Sequence, residues 1–372
     1  MSAILSRLTI GLALLFLLVT CLKRPTEPDT PDPRRGFWLT NVDSEAMYSR
    51  SGLEAAVEDC VRYGFNTIYV VVWNRGYTLY PSPLMQEEFG RLIDPDFQGR
   101  DPLQELIELA QGQGIEVIAW FEFGFASSYD EPDGGHLLRS RPQWAARDSA
   151  GQIVSKNKFQ WMNAFDPEVQ EFMIDLIKEL VAHYAIDGIQ GDDRLPALPS
   201  LAGYDSLTLA RYALEHDGQR PPNHPGDSAW VQWRADLLSD FMQRLVSELR
   251  AQDPNLTLSF APSIYPWSKY EYLQDWPVWV QEGWVDEIIP QVYRYDIQAY
   301  HKALTAIVEE QLTPEQQELL FPGVLLNVGD YVASDSLLQS IIDTHRSFGL
   351  EGEVFFFYEG IRKRPEFFRQ LY

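Results

Sequence analysis

Residues 187–193 read Asp-Gly-Ile-Gln-Gly-Asp-Asp, and the way this run sits among its neighbours decides the fold. On a strand, side chains alternate between faces, so Gly188, Gln190 and Asp192 share one face while Ile189 and Gly191 share the other. A polar face ending on a carboxylate belongs on the inside of a barrel. Just upstream, Val169, Phe172, Met173, Leu176, Ile177 and Leu180 recur at helical spacing. Outward in both directions the same alternation continues, with apolar runs of strand length opening at Gly36, Asn66, Ile115, Leu256, Asp286, Leu320 and Gly352. Together with the run at Asp187 they make eight strands separated by helical stretches, the pattern of a parallel sheet with crossover helices. The expectation is α/β: a single (β/α)8 TIM barrel over residues 36–372.

Punctuation supports these boundaries. Asp101-Pro102 and Asp166-Pro167 pair a capping carboxylate with a residue suited to the first helical turn, and Gly64 and Gly114 close helices just before strands. A doubly wound sheet would require a glycine-rich phosphate loop after the first strand, and residues 41–52 contain none. Two loops after strands are long, residues 124–165 after the third and 194–229 after the fourth. In a TIM barrel such loops form the face that carries the substrate cleft.

Composition narrows the partners. A net charge of -24 repels a polyphosphate backbone, so no nucleic-acid partner is expected. The six His show no HExxH or paired-ligand spacing and there is no CxxC, so neither a metal nor another cofactor is expected. No GxSxG elbow or Walker loop occurs. Cys60 falls on the apolar face of a helix with Leu53, Ala56, Val57 and Val61 and reads as a core residue. At the N-terminus Arg7 precedes an apolar run over residues 8–19, a length that suits an export signal better than the ~20 residues of a spanning helix. Residues 1–21 are therefore expected to be a signal or lipoprotein-like segment, with LVTC ending at Cys21 as its cleavage box, or else a short membrane anchor. Residues 22–35 are a proline-rich spacer. The barrel is thus expected to be exported, periplasmic or at the cell surface, with any membrane contact made through the N-terminal segment.

Polar residues gather where the strands end. Asp192, Glu122 and Asp193 are the candidate catalytic carboxylates, because glycosidic hydrolysis needs one carboxyl to protonate the leaving oxygen and another to attack or activate water. Asp193 has outward parity unless the chain turns there. Trp73, Trp120 and Tyr293 are candidate stacking platforms for sugar rings. Asn74, Arg75, Gln291, Arg294, Asn327 and Glu359 are candidate binders of hydroxyls or of an acidic substituent. The partner this set suits is a polysaccharide or oligosaccharide.

Five stretches, NVDS, IAWFEF, DGIQGDD, PQVYR and GEVFFFYEG, resemble the glycoside-hydrolase-like family 10 of bacterial exported proteins, and the likeness spans residues 36–372. The resemblance implies a (β/α)8 barrel and a cell-envelope glycosidase acting on glycan strands of peptidoglycan. It carries the family's DGI...DD segment onto Asp187, Gly188, Ile189, Asp192 and Asp193, and its PQ.Y segment onto Pro290, Gln291 and Tyr293. DGIQGD is also similar to the DGxRxD strand of the alpha-amylase superfamily, whose nucleophile matches Asp192. Here Gln190 replaces the Arg, and residues 256–263 offer no Glu as acid. The DGxDxDxE strand of family 18 chitinases is matched less well, because Gln190 and Arg194 occupy two of its acidic positions. The proton donor must then come from elsewhere, and Glu122 and Asp193 are the candidates for it. The alternative is a barrel that binds envelope polysaccharide without cleaving it.

Overall fold

In the computed structural model, which describes residues 33–372, all eight expected strands form. They are β1 (Arg35–Leu39), β2 (Thr67–Val71), β3 (Glu116–Phe121), β4 (Gly188–Asp192), β5 (Thr257–Ala261), β6 (Glu287–Ile288), β7 (Gly323–Leu325) and β8 (Glu353–Phe356). They pair in parallel in the order β6-β5-β4-β3-β2-β1-β8-β7. Isolated parallel bridges from Ile288 to Leu320 and from Gln291 to Gly323 join the two ends, so the sheet curls round on itself. The expected leader and all but the last three residues of the expected spacer, residues 1–32, lie outside the described residues. Of the spacer's end, Arg35 opens β1 and Arg34 packs inside the barrel, so the barrel begins before Gly36.

Helices fill the outer layer where the periodicity placed them. The helix Pro102–Ala110 starts on Asp101, which accepts from Gln104 N, and Pro167–His183 starts on Asp166, which accepts from Glu168 N. Each Pro sits in the first turn, where its missing N–H costs nothing. Cys60 is fully buried on the inner face of Arg50–Arg62. No helix among the described residues is long and apolar enough to cross a membrane.

Inside the barrel, side chains stack in layers. At the N-terminal ends of the strands lie Arg34, Glu116, Tyr69 and Glu287. Above them Gln190 accepts from Trp38 Nε1 at 2.6 Å and donates to Ser259 at 3.0 Å. Asp192 tops the stack. The glycines of β4 have a geometric reason. A Cβ at Gly191 would collide with the carbonyl of Leu195, because the chain folds back immediately after Asp192, and a Cβ at Gly124 would collide with that of Arg194. Both long loops build structure of their own: the first holds a three-stranded antiparallel sheet (Ala126–Tyr129, Ser155–Lys156, Phe159–Trp161), the second the helix Ser206–Glu215.

Candidate active site

At the C-terminal ends of β3 and β4 a cavity of about 140 Å³ is lined by Trp38, Trp120, Glu122, Asp192, Asp193, Arg194, Gln291, Tyr293 and Phe356. Its electrostatic centre is Arg194. One guanidinium nitrogen, Nη2, lies 3.3 Å from Asp192 Oδ2 and 3.8 Å from Glu122 Oε1, while Nη1 lies 3.0 Å from Asp193 Oδ1. Its Nε donates to the Glu122 carbonyl at 2.7 Å, and its ring-like plane sits 4.8 Å from the centre of Phe159, which the long β3 loop supplies. Three carboxylates thus share one cation.

Asp192 is 2 % exposed and receives donors on both oxygens: Arg194 N at 3.0 Å on Oδ1, and Trp120 Nε1 at 3.1 Å with the guanidinium on Oδ2. Burial drives its pKa well above the usual carboxylate range. Arg194 opposes that rise, whereas Asp193 and Glu122 add to it by like-charge repulsion. Glu122 is raised for the same first reason, against the pull of Arg194 and of Asn74, whose Nδ2 donates to Oε2 at 2.6 Å. Tyr293 packs beside Phe356 at 5.5 Å between ring centres, and burial raises its hydroxyl pKa as well. Asp193 reaches the cavity because the chain turns right after the strand, which cancels its outward parity.

The expected residues divide into two groups. Brought together are Asp192, Asp193, Glu122, Trp120, Gln291 and Tyr293, with Asn74 behind Glu122. Elsewhere are the rest. Trp73 is fully buried, donates to the Gly124 carbonyl at 2.9 Å and packs edge-on against Phe172, so its ring belongs to the core rather than to a sugar platform. Arg75 is exposed, 5.9 Å from the centre of Tyr129, and Arg294 folds back onto the Tyr293 carbonyl at 2.7 Å. Asn327 is buried at the start of the Asn327–Val328 strand, with its Oδ1 unpartnered. Glu359 lies in a separate cleft, bound by Ser44 and Arg362. Sequence reasoning passed over Trp38 and Phe356, which share the cavity wall. Parity on β1 and β8 was the available signal, masked because both strands are apolar on both faces. Among the described residues no group of three His, Cys, Asp or Glu is arranged to hold a metal ion.

An eight-stranded parallel barrel with a carboxylate cluster at the C-terminal ends of β3 and β4 has the architecture of a glycoside hydrolase-like barrel. The chain belongs to the Glycosyl hydrolase-like 10 family, which it matches over residues 33–321. It is 22% identical over 358 residues to glycosyl hydrolase DigH of Escherichia coli K12, covering 79% of this chain and 78% of that one. It is 23% identical to glycosyl hydrolase YngK of Bacillus subtilis over 286 residues, 70% of this chain and 54% of that one. Among solved structures, the glycoside hydrolase domain of PgaB (BpsB) from Bordetella bronchiseptica superposes with a TM-score of 0.68 at 14% identity, over 90% of this chain and 97% of that one. An alpha-L-fucosidase from Paenibacillus thiaminolyticus does so at 0.63 and 17%, over 91% and 48%. At these identities the superpositions speak to the fold.

Proposed function

We propose that this chain is an exported glycoside hydrolase that cleaves a polysaccharide, the glycan strands of peptidoglycan being the substrate we favour, with Asp192 at the reacting centre. The observation that carries the reading is the convergence of Asp192, Glu122 and Asp193 on the single guanidinium of Arg194 at the mouth of a barrel. One cation cannot balance three clustered carboxylates, and burial raises the proton affinity of Asp192 and Glu122, so a carboxyl of this cluster is suited to act as a general acid. Burial raises Asp192 further than Glu122, yet the donors argue the other way: Asp192, which accepts on both oxygens, is suited to bear the negative charge of a nucleophile or base, and Glu122, with one close donor, is suited to hold the proton. Asp193 then balances Arg194. Because Asp192 Oδ2 and Glu122 Oε1 lie 3.3 and 3.8 Å from the same nitrogen, no more than about 7 Å separates them. That favours the spacing of about 5–5.5 Å that goes with retention over most of the inverting range. Trp120 orients Asp192, and Tyr293 with Gln291 lines the opposite wall. The relatives carrying the name glycosyl hydrolase support the same class. Residues 1–21 would direct export, and the spacer would hold the barrel clear of the membrane.

The second reading, a barrel that binds glycan without cleaving it, draws on one feature: Arg194 already occupies all three carboxylates. Incubation of the purified protein with peptidoglycan glycan strands from acid to neutral pH separates the two. Release of new reducing ends, with the β or α form of the substrate linkage kept in the first product, supports the retaining hydrolase. Saturable binding with no reducing ends released supports the binder.

A further inference from the structure

The cavity around Asp192, at about 140 Å³, falls below the ~300–1,000 Å³ typical of small-ligand sites, so most of a sugar chain must be held elsewhere. Beside it, at the exits of β1 and β8, lies a polar cleft of about 410 Å³. Neighbouring stretches of chain line the two. Trp38 and Phe356 line the cavity, whereas Asn41 and Glu359, each three residues further on, line the cleft. Three residues span at most about 11 Å.

The cleft has the parts a pyranose uses. Tyr48 presents a ring whose one face is stacked on Phe97 at 4.9 Å and 25°, and whose hydroxyl is tied to the Asn41 carbonyl at 3.1 Å, so it is a fixed platform. Asn41 lines the cleft, and its Oδ1 is an acceptor with no hydrogen-bond partner. Glu359 is already balanced by Arg362, which donates to both its oxygens at 3.1 Å. Asp43 and Glu45 are exposed on the same rim and have no basic partner among the described residues.

We infer that this cleft is a second glycan subsite that takes an uncharged N-acetylhexosamine unit and rejects a carboxylate-bearing one. The inference rests on the carbohydrate reading above and adds its specificity. In a strand that alternates N-acetylglucosamine with muramic acid, the lactyl carboxylate of the muramic unit meets Asp43 and Glu45, and the N-acetylglucosamine unit does not. Two unmatched carboxylates at about 6 Å through solvent disfavour an anionic ligand by about tenfold at low salt.

The test is calorimetric binding to the Asp192→Asn protein, which keeps the cleft and suppresses turnover. The probes are N-acetylglucosamine dimers and hexamers and a hexamer oxidised to carry uronates. The hexamer is expected to bind at least about tenfold more tightly than the dimer. Tyr48→Ala removes that length preference, whereas Tyr48→Phe, which keeps the platform, retains it. Asp43→Asn combined with Glu45→Gln raises affinity for the oxidised hexamer by about tenfold at low salt and leaves the neutral hexamer as it was; the gain vanishes in 1 M salt. Equal affinity for neutral and oxidised hexamers in the unmodified cleft overturns the inference, as does a length preference that survives Tyr48→Ala. Because these are binding readouts, they stand whether or not the wild-type protein releases reducing ends, which is the test of the cleavage reading.

Discussion

Each end of the barrel buries an arginine among carboxylates, and the two clusters are put together differently. At the N-terminal ends, Arg34 pairs with Glu287 and Glu116 and donates to Thr67 at 2.9 Å, while Tyr69 caps the second oxygen of Glu287 at 2.9 Å. Both oxygens of Glu287 are occupied, and it is fully enclosed. At the C-terminal ends, Arg194 faces one carboxylate more, a buried oxygen of Asp193 has only its ion pair with Arg194, and the cluster opens onto a cavity. The contrast teaches that a buried ion pair is not itself a mark of chemistry. Surplus charge together with access is, and in a TIM barrel those belong to the C-terminal face.

Substitutions can break or sharpen that contrast. Removing the lower cation with Arg34→Met leaves Glu287 buried and unpaired, which is expected to cost about 3–5 kcal/mol of stability in denaturant unfolding, with turnover per folded molecule preserved. Lost turnover at full stability would put chemistry at the wrong end. At the upper cluster Glu122→Gln is expected to lower kcat by about 10²–10⁴-fold, the usual contribution of a general acid. Its stability should respond in the opposite sense. A carboxyl with a raised folded pKa costs stability as pH climbs from the unfolded value through the folded one, so the variant gains on the wild type in thermal melts as pH rises above about 4.5. A variant whose melting temperature falls relative to the wild type as pH rises would refute the raised proton affinity. Trp120→Phe deletes a donor to Asp192, and a loss of about 1.5–3 kcal/mol in kcat/KM is expected. Smallest is Trp73→Phe: the lost bond to Gly124 costs about 0.5–1.5 kcal/mol of stability, and glycan affinity stays the same. Weakened binding at equal stability would restore Trp73 as a platform.

Seven of the strands were legible as apolar runs between clear stops and the fourth by its alternation, and the two Asp-Pro caps marked helix starts to within a residue. The inward placement of Asp192 was legible from parity. What periodicity does not encode is a meeting of distant side chains. Arg34 reaches Glu287 across 253 positions, and it sits at the end of a proline-rich stretch that reads as linker. Arg234, fully buried, holds the β4 loop by donating to the carbonyls of Ser200, Ala202 and Pro225, yet in the sequence it is one more cation on a long helix. Trp73 failed for the opposite reason. It occupies a strand end, but the backbone leaves the sheet at Val72 and forms the Trp73–Asn74 hairpin strand, which carries the ring into the layer of Phe172. Glu359 was read with the other polar residues at the strand ends, whereas the turn after β8 sets it in a cleft of its own.

The central claim, that bond cleavage occurs at the upper cluster through Asp192, is tested most directly by the turnover of Asp192→Asn on purified glycan strands, with folding verified by circular dichroism and thermal melting. The account predicts a folded protein that releases reducing ends at least about 10²-fold more slowly than the wild type. A folded variant that hydrolyses glycan at the wild-type rate would contradict it.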